Sequence, residues 1–120
     1  MSKFIQENDI FKRTVMYNRI TQQYPDRIPV IFNIGKNLQQ YIDEKKLTDK
    51  IKYKALISNE CRLDSTISKF RENIKSTFAI YIFINNKVFS PSTLVAEIYD
   101  KEKGEDGFLY IDIESENTFG

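Results

Sequence analysis

The chain has no histidine and one cysteine, Cys61, among its 120 residues. Histidine is the usual general base near neutral pH and the commonest zinc ligand, so the ordinary routes to acid–base and zinc chemistry are missing. Cys61 has no histidine to activate it and no second cysteine to pair with, and reads as a small buried hydrophobe. Gly35, Gly104, Gly107 and Gly120 are the only glycines, too dispersed for a phosphate-cradling loop. Carboxylate or tyrosine chemistry stays open, with no pattern pointing to it. The charges, 18 Lys and Arg against 17 Asp and Glu, leave a formal net charge of +1. A nucleic-acid binder usually carries a clear basic excess. The expectation is a protein that is not an enzyme, takes no cofactor or metal, and binds no nucleic acid.

The elements follow from periodicity. A chain of this length suits one domain, with 41% hydrophobic residues to build its core. The absence of a disulfide fits a reducing compartment. The first residues, Met1 to Glu7, are too polar for a signal peptide. The longest apolar run, Phe78 to Ile84, is far short of the roughly 20 residues of a membrane span. The first 24 residues read as helical, with Asp9 capping Ile10 to Gln23 and Phe11, Val15 and Tyr24 near one stripe beside Ile20. Pro25 ends that helix. Ile28 to Ile34 is a β-branched strand with Pro29 near its start. Gly35 to Lys50 is lysine-rich and reads as a long mobile loop with at most a helical turn. Ile51 to Ile57 alternates as a half-exposed strand. Leu63, Ile67, Phe70 and Ile74 make a helical stripe capped by Asp64 or Ser65. Phe78 to Ile84 is a strand apolar on both faces, each needing cover, and Asn85-Asn86 suits a hairpin turn. Ser92 or Thr93 caps a short helix through Tyr99. A last strand sets Leu109, Ile111 and Ile113 on one face, and Phe108, Tyr110 and Asp112 on the other.

This order predicts an α+β, ubiquitin-like β-grasp fold: a four-stranded mixed sheet, a crossing helix, and two additional N-terminal helices over the other face. The boundaries are 1–24 for the helical extension, 25–113 for the core and 114–120 for a flexible tail, all within one domain.

Three segments carry a resemblance. They are Tyr24-Pro25-Asp26-Arg27-Ile28-Pro29-Val30-Ile31, then Ile84-Asn85-Asn86 after an apolar strand, then Glu105-Asp106-Gly107-Phe108-Leu109-Tyr110-Ile111 followed by Glu116-Asn117-Thr118-Phe119-Gly120. In this order, nearly spanning the chain, they resemble the ubiquitin-like autophagy modifiers, the GABARAP and light-chain-3 proteins. The chain departs from that pattern in three places. The 35–50 segment is several residues longer. Lys54-Ala55-Leu56-Ile57-Ser58 stands for the usual Lys-Tyr-Leu-Val-Pro. Thr66 and Lys69 fall where apolar residues line a second pocket.

The resemblance implies conjugation through Gly120 to phosphatidylethanolamine. The glycine carboxylate would be adenylated, passed to a thiol and transferred to an amine, and a residue without a Cβ threads the narrow enzyme sites. The alternative reading of Gly120 is an arbitrary end. The implied partners are activating and conjugating enzymes, a deconjugating cysteine protease and receptors with an aromatic-x-x-aliphatic motif. The membrane is reached through the covalent phosphatidylethanolamine. The implied location is the cytoplasm, with a lipidated pool on autophagosome membranes. The implied groove pairs a peptide with the second strand by β-augmentation. Its aromatic pocket falls on Ile20, Pro29, Ile31, Lys54, Leu56 and Phe108; its second pocket falls on Ala55, Ile57, Cys61 and Phe70. Arg27, Lys52, Lys54 and Arg71 would flank it for acidic residues beside the motif. Ordinary core is the alternative for the apolar positions, solvated surface for the charged ones, and a structural pairing with Asp26 or the tail for Arg27. A β-grasp adaptor that is never conjugated, or a modifier of protein lysines, is the alternative for the whole.

Overall fold

A computed structural model describes residues 3–74 and 79–115. Its order is α1 (Lys3–Glu7), α2 (Ile10–Gln23), β1 (Arg27–Ile34), α3 (Lys36–Glu44), a 3-10 turn (Thr48–Lys50), β2 (Lys54–Ser58), α4 (Leu63–Ile74), β3 (Ile80–Phe83), α5 (Val95–Glu102) and β4 (Leu109–Ser115). The strands form one sheet in the order β2-β1-β4-β3. β1 and β4 run parallel at the centre, Val30 beside Leu109 and Ile34 beside Ile113. β2 and β3 flank them antiparallel, with Ile31 opposite Lys54 and Ile80 opposite Ser115. This is the mixed, ubiquitin-like α+β fold with two N-terminal helices that the periodicities predict. β1 and β4 therefore end, and β2 and β3 begin, at the same end of the sheet.

Strand alternation sorts the residues onto two faces. Val30, Phe32, Leu109, Ile111 and Ile113 face the main core with Leu63, Ile67, Phe70 and Ile74 of α4 and Val95 and Ile98 of α5. On the other face a smaller core joins Phe4, Ile31 and Phe108 to Met16, Tyr17, Ile20 and Tyr110. Asp9 caps α2 as predicted, its Oδ1 accepting the Lys12 N–H at 2.8 Å. Asn85 and Asn86 both take positive φ, 51° and 63°, and close a tight turn in which Ile84 and Lys87 exchange hydrogen bonds of 3.0 Å.

Several elements differ from the sequence reading. The loop at 35–50 contains the nine-residue helix α3, whose Leu38 and Ile42 are fully buried. Those two side chains lie one turn apart and plug the end of the main core. The inward stripe of α2 is not Phe11 and Val15, which are exposed (Phe11 by 73%). It is Arg13, Met16, Tyr17 and Ile20, at helical spacing. A partly buried arginine in the stripe hides it from an apolar pattern. Asp64 and Ser65 lie inside α4 and do not cap it. The N–H groups of Leu63 and Asp64 donate to the carbonyls of Thr93 and Pro91, both at 2.9 Å. In return Val95 N–H, opening α5, donates to Cys61 O at 3.0 Å, and Leu94, not Ser92 or Thr93, is the cap residue. The two helix starts satisfy each other's backbone without side-chain caps. Tyr81 of β3 is 47% exposed, because the α1–α2 layer does not cover that edge. β4 carries Glu114 and Ser115, paired with Tyr81 and Ile80, past the boundary read at 114. Phe78 and residues 116–120, with Gly120, lie outside the described residues.

Candidate functional site

β2 is an edge strand, so one side of its backbone faces no strand of this chain. Such an edge is a template for an added strand. Lys54 and Leu56 stand opposite Ile31 and Pro29, on the face of α1 and α2. Ala55 and Ile57 turn to the main core. Ile51 and Tyr53 continue that inward alternation before the strand starts, and Lys52 is exposed.

Phe108 enters this face just before β4. It is held by a buried polar knot. Asp106, 3% exposed, accepts the Phe108 N–H at 2.9 Å through Oδ1. Its Oδ2 pairs with Arg13 Nε at 3.0 Å and accepts the Tyr110 O–H. A buried carboxylate persists when charge and hydrogen bonds answer it on several sides. Burial, and then the bond to Asp106, pushes the Tyr110 hydroxyl pKa well above its ordinary value of 10.0. Gly107 takes φ 97°, and a Cβ there would lie 2.5 Å from the Tyr17 ring. The Tyr99 O–H donates to the Gly107 carbonyl at 2.7 Å. Burial, and then the Tyr17 hydroxyl, raises the Tyr99 pKa as well.

The result is an aromatic nest. Phe108 meets Tyr17 edge-on at 5.9 Å and Phe4 at 5.3 Å. Lys54 Nζ sits 5.1 Å above the Phe4 ring. Phe4 was not visible as a site residue in the sequence; its one signal is an aromatic in an otherwise polar leader. A cleft of about 700 Å³ opens beside it, between Gln6 and Glu7 of α1 and Gln39 and Asp43 of α3.

The structure brings Ile20, Pro29, Ile31, Lys54, Leu56 and Phe108 to one face of the sheet. Ile31 and Phe108 are buried there, and Ile20 and Leu56 are half-buried. Ala55, Ile57 and Phe70 lie on the opposite face, with Phe70 6.0 Å from Phe32 inside the main core. Cys61 is half-buried where β2 leads into α4. Arg27 is exposed at the far end of β1, opposite Ser58. Thr66 is buried, its hydroxyl donating to Arg62 O at 3.3 Å, and Lys69 is exposed. Arg71 is not with the others. It lines a cleft of about 410 Å³ between α4 and β3, at the edge opposite β2.

Residues 12–120 match the family model described as "Autophagy protein Atg8 ubiquitin like". Autophagy-related protein 8e of Arabidopsis thaliana is 37% identical over 99% of this chain and 93% of its own length. Autophagy-related protein 8 of Mycosarcoma maydis is 35% identical over 99% and 97%. The crystal structure of Trypanosoma brucei ATG8 superposes with a TM-score of 0.79 at 26% identity, covering 100% of this chain and 99% of that one. Plasmodium falciparum Atg8, solved with a P. falciparum Atg3 peptide, has the same fold, with a TM-score of 0.77 at 23% identity over 96% and 99%. The three segments, the sheet order and the matches over nearly the whole length place this chain in the Atg8 family of ubiquitin-like autophagy proteins.

Proposed function

We propose that this chain is a membrane tag. It is conjugated through Gly120 to phosphatidylethanolamine and recruits receptors and adaptors through the groove on β2. The observation that carries the recruiting reading is the edge position of β2, with Lys54 and Leu56 on the same sheet face as Ile31 and Lys54 reaching the Phe4 ring of α1. A peptide strand added there would place alternate side chains on that face. Family membership over residues 12–120 supports the conjugation reading. The P. falciparum relative in complex with an Atg3 peptide supports a conjugating enzyme as one partner. Activating and deconjugating enzymes complete the cycle, and the catalytic groups belong to them. No described helix is long and apolar enough to cross a membrane, so an attached lipid would supply the anchor. Phosphatidylethanolamine brings two acyl chains, enough for stable attachment where one is marginal. The protein then divides between the cytoplasm and autophagosome membranes.

Intact mass of the membrane-bound form tests conjugation. A phospholipid adduct on wild type, absent from Gly120→Ala, is the expected result. An unmodified mass means an unconjugated adaptor, and a ubiquitin-like remnant on protein lysines means a protein modifier. Calorimetry tests the groove. Leu56→Ala removes part of a pocket wall; burying an aliphatic side chain is worth about 1.5–3 kcal/mol. Affinity for an aromatic-x-x-aliphatic peptide should fall about tenfold to a hundredfold. Arg71→Ala, across α4 from β2, should leave that affinity unchanged.

A further inference from the structure

The pocket that should receive the peptide's aromatic side chain already holds one. Phe4 is 8% exposed and packed with Ile31 and Phe108. Its ring takes the edge-to-face contact with Phe108 at 5.3 Å and the ammonium of Lys54 at 5.1 Å. Those three residues are half of the six that line the aromatic pocket in the reading above. A ligand ring seated there would make the same contacts, and two rings cannot share them.

The helix that carries Phe4 is weakly attached. α1 has five residues, far below the roughly 12–15 at which an isolated helix becomes marginal in water. Its Lys3–Glu7 ion pair is 85% and 61% exposed and 3.8 Å long, a kind that contributes little. One flank borders the open cleft of about 700 Å³ rather than packing on α3. The chain between α1 and α2 is extended at Asp9, with φ −71° and ψ 171°. α2 has its own anchor, the Arg13–Asp106 pair. So α1 can leave at residues 8–9 while α2 stays docked. Leaving costs the Phe4 burial with its Phe108 and Lys54 contacts, and the 3.1 Å hydrogen bond from Arg13 Nη1 to Asn8 O.

We propose that Phe4 is an intramolecular plug: α1 closes the aromatic pocket of the free protein, and a peptide binds by displacing it. This rests on the groove reading. A site open only part of the time binds with an apparent affinity reduced by its open fraction. The plug thus raises the affinity threshold a receptor must meet, and removing it removes the threshold.

The test is calorimetry with one aromatic-x-x-aliphatic peptide on wild type, Phe4→Ala and a chain beginning at Asn8. Urea denaturation of each variant confirms that α2 and the sheet stay folded. Both variants should bind about tenfold to a hundredfold tighter than wild type, the range set by burying one large apolar side chain. In wild type, amide hydrogen exchange at residues 4–8 should speed up when peptide is added. If wild type binds and both variants bind equally or more weakly, Phe4 is the floor of an open pocket and the plug is wrong while the groove stands. Unchanged or slower exchange at residues 4–8 overturns the plug in the same way. If no form binds, the groove reading fails and the plug falls with it.

Discussion

Two residues of the polar knot make sharp predictions. Gly107 is required twice, by φ 97° and by the Tyr17 ring 2.5 Å from the site of a Cβ. The left-handed region costs an L-residue roughly 1–2 kcal/mol, and Tyr17 would also have to move. Gly107→Ala should lower stability by about 2–3 kcal/mol, read as a lower urea midpoint with an unchanged slope. Tyr99 and Tyr110 predict an alkaline weakness. Both hydroxyls hold their protons more tightly folded than unfolded, first because they are buried. Above pH 10 the unfolded chain therefore binds fewer protons than the native one, and stability falls as pH rises. It is fully present below about pH 10, the ordinary tyrosine value. Urea midpoints between pH 8 and 11 should drop more steeply for wild type than for Tyr110→Phe, which cannot ionise there. Much of this face was legible in the sequence. Strand alternation alone puts Leu56 and Lys54 on one side and Ala55 and Ile57 on the other, and the structure has them so. Phe4 was not legible, because one aromatic in a polar leader has no period. Arg71 was assigned to the groove by the resemblance alone, and it lines the cleft between α4 and β3.

At the scale of elements, α3 and the caps show where pattern reading stops. The segment at 35–50 offers only Leu38, Tyr41, Ile42 and Leu47 scattered among polar residues, and its cap residue, Gly35, makes no side-chain hydrogen bond. Local signals that sparse read as loop. What makes the helix is the core end it closes. Leu38→Ala should then behave as a core truncation, destabilising by about 2–5 kcal/mol. Urea titration checks it, and slow amide exchange at residues 38–44 in wild type checks the helix itself. A loss under 1 kcal/mol would return the segment to a loosely held loop. The starts of α4 and α5 failed differently. Residues 91–95 and 61–64 cap each other through backbone groups thirty positions apart, which no local search for Ser, Thr or Asp can find.

At the scale of the whole molecule, the strand directions decide how an anchored protein could stand. β1 and β4 end, and β2 begins, toward one end of the sheet, so Ser115 and α3 share that end, with Lys54 further back, level with Tyr110. Gly120, the attachment point in the proposed adduct, lies five residues beyond Ser115. Fully extended they reach about 17 Å, less than the molecule's shortest extent of 24 Å. The leash is too short for the body to turn over. A bilayer would lie close under the end that holds α3 and the approach to β2, and the Ser58 end would point outward. Headgroups would then crowd one end of the groove and leave the other clear. Inserting ten Gly/Ser residues after Ser115 should lift this steric screen: on vesicles, capture of a bulky receptor fragment should improve, while affinity for a short peptide in solution should not change. Equal capture by both forms would mean that the body already stands clear of the surface.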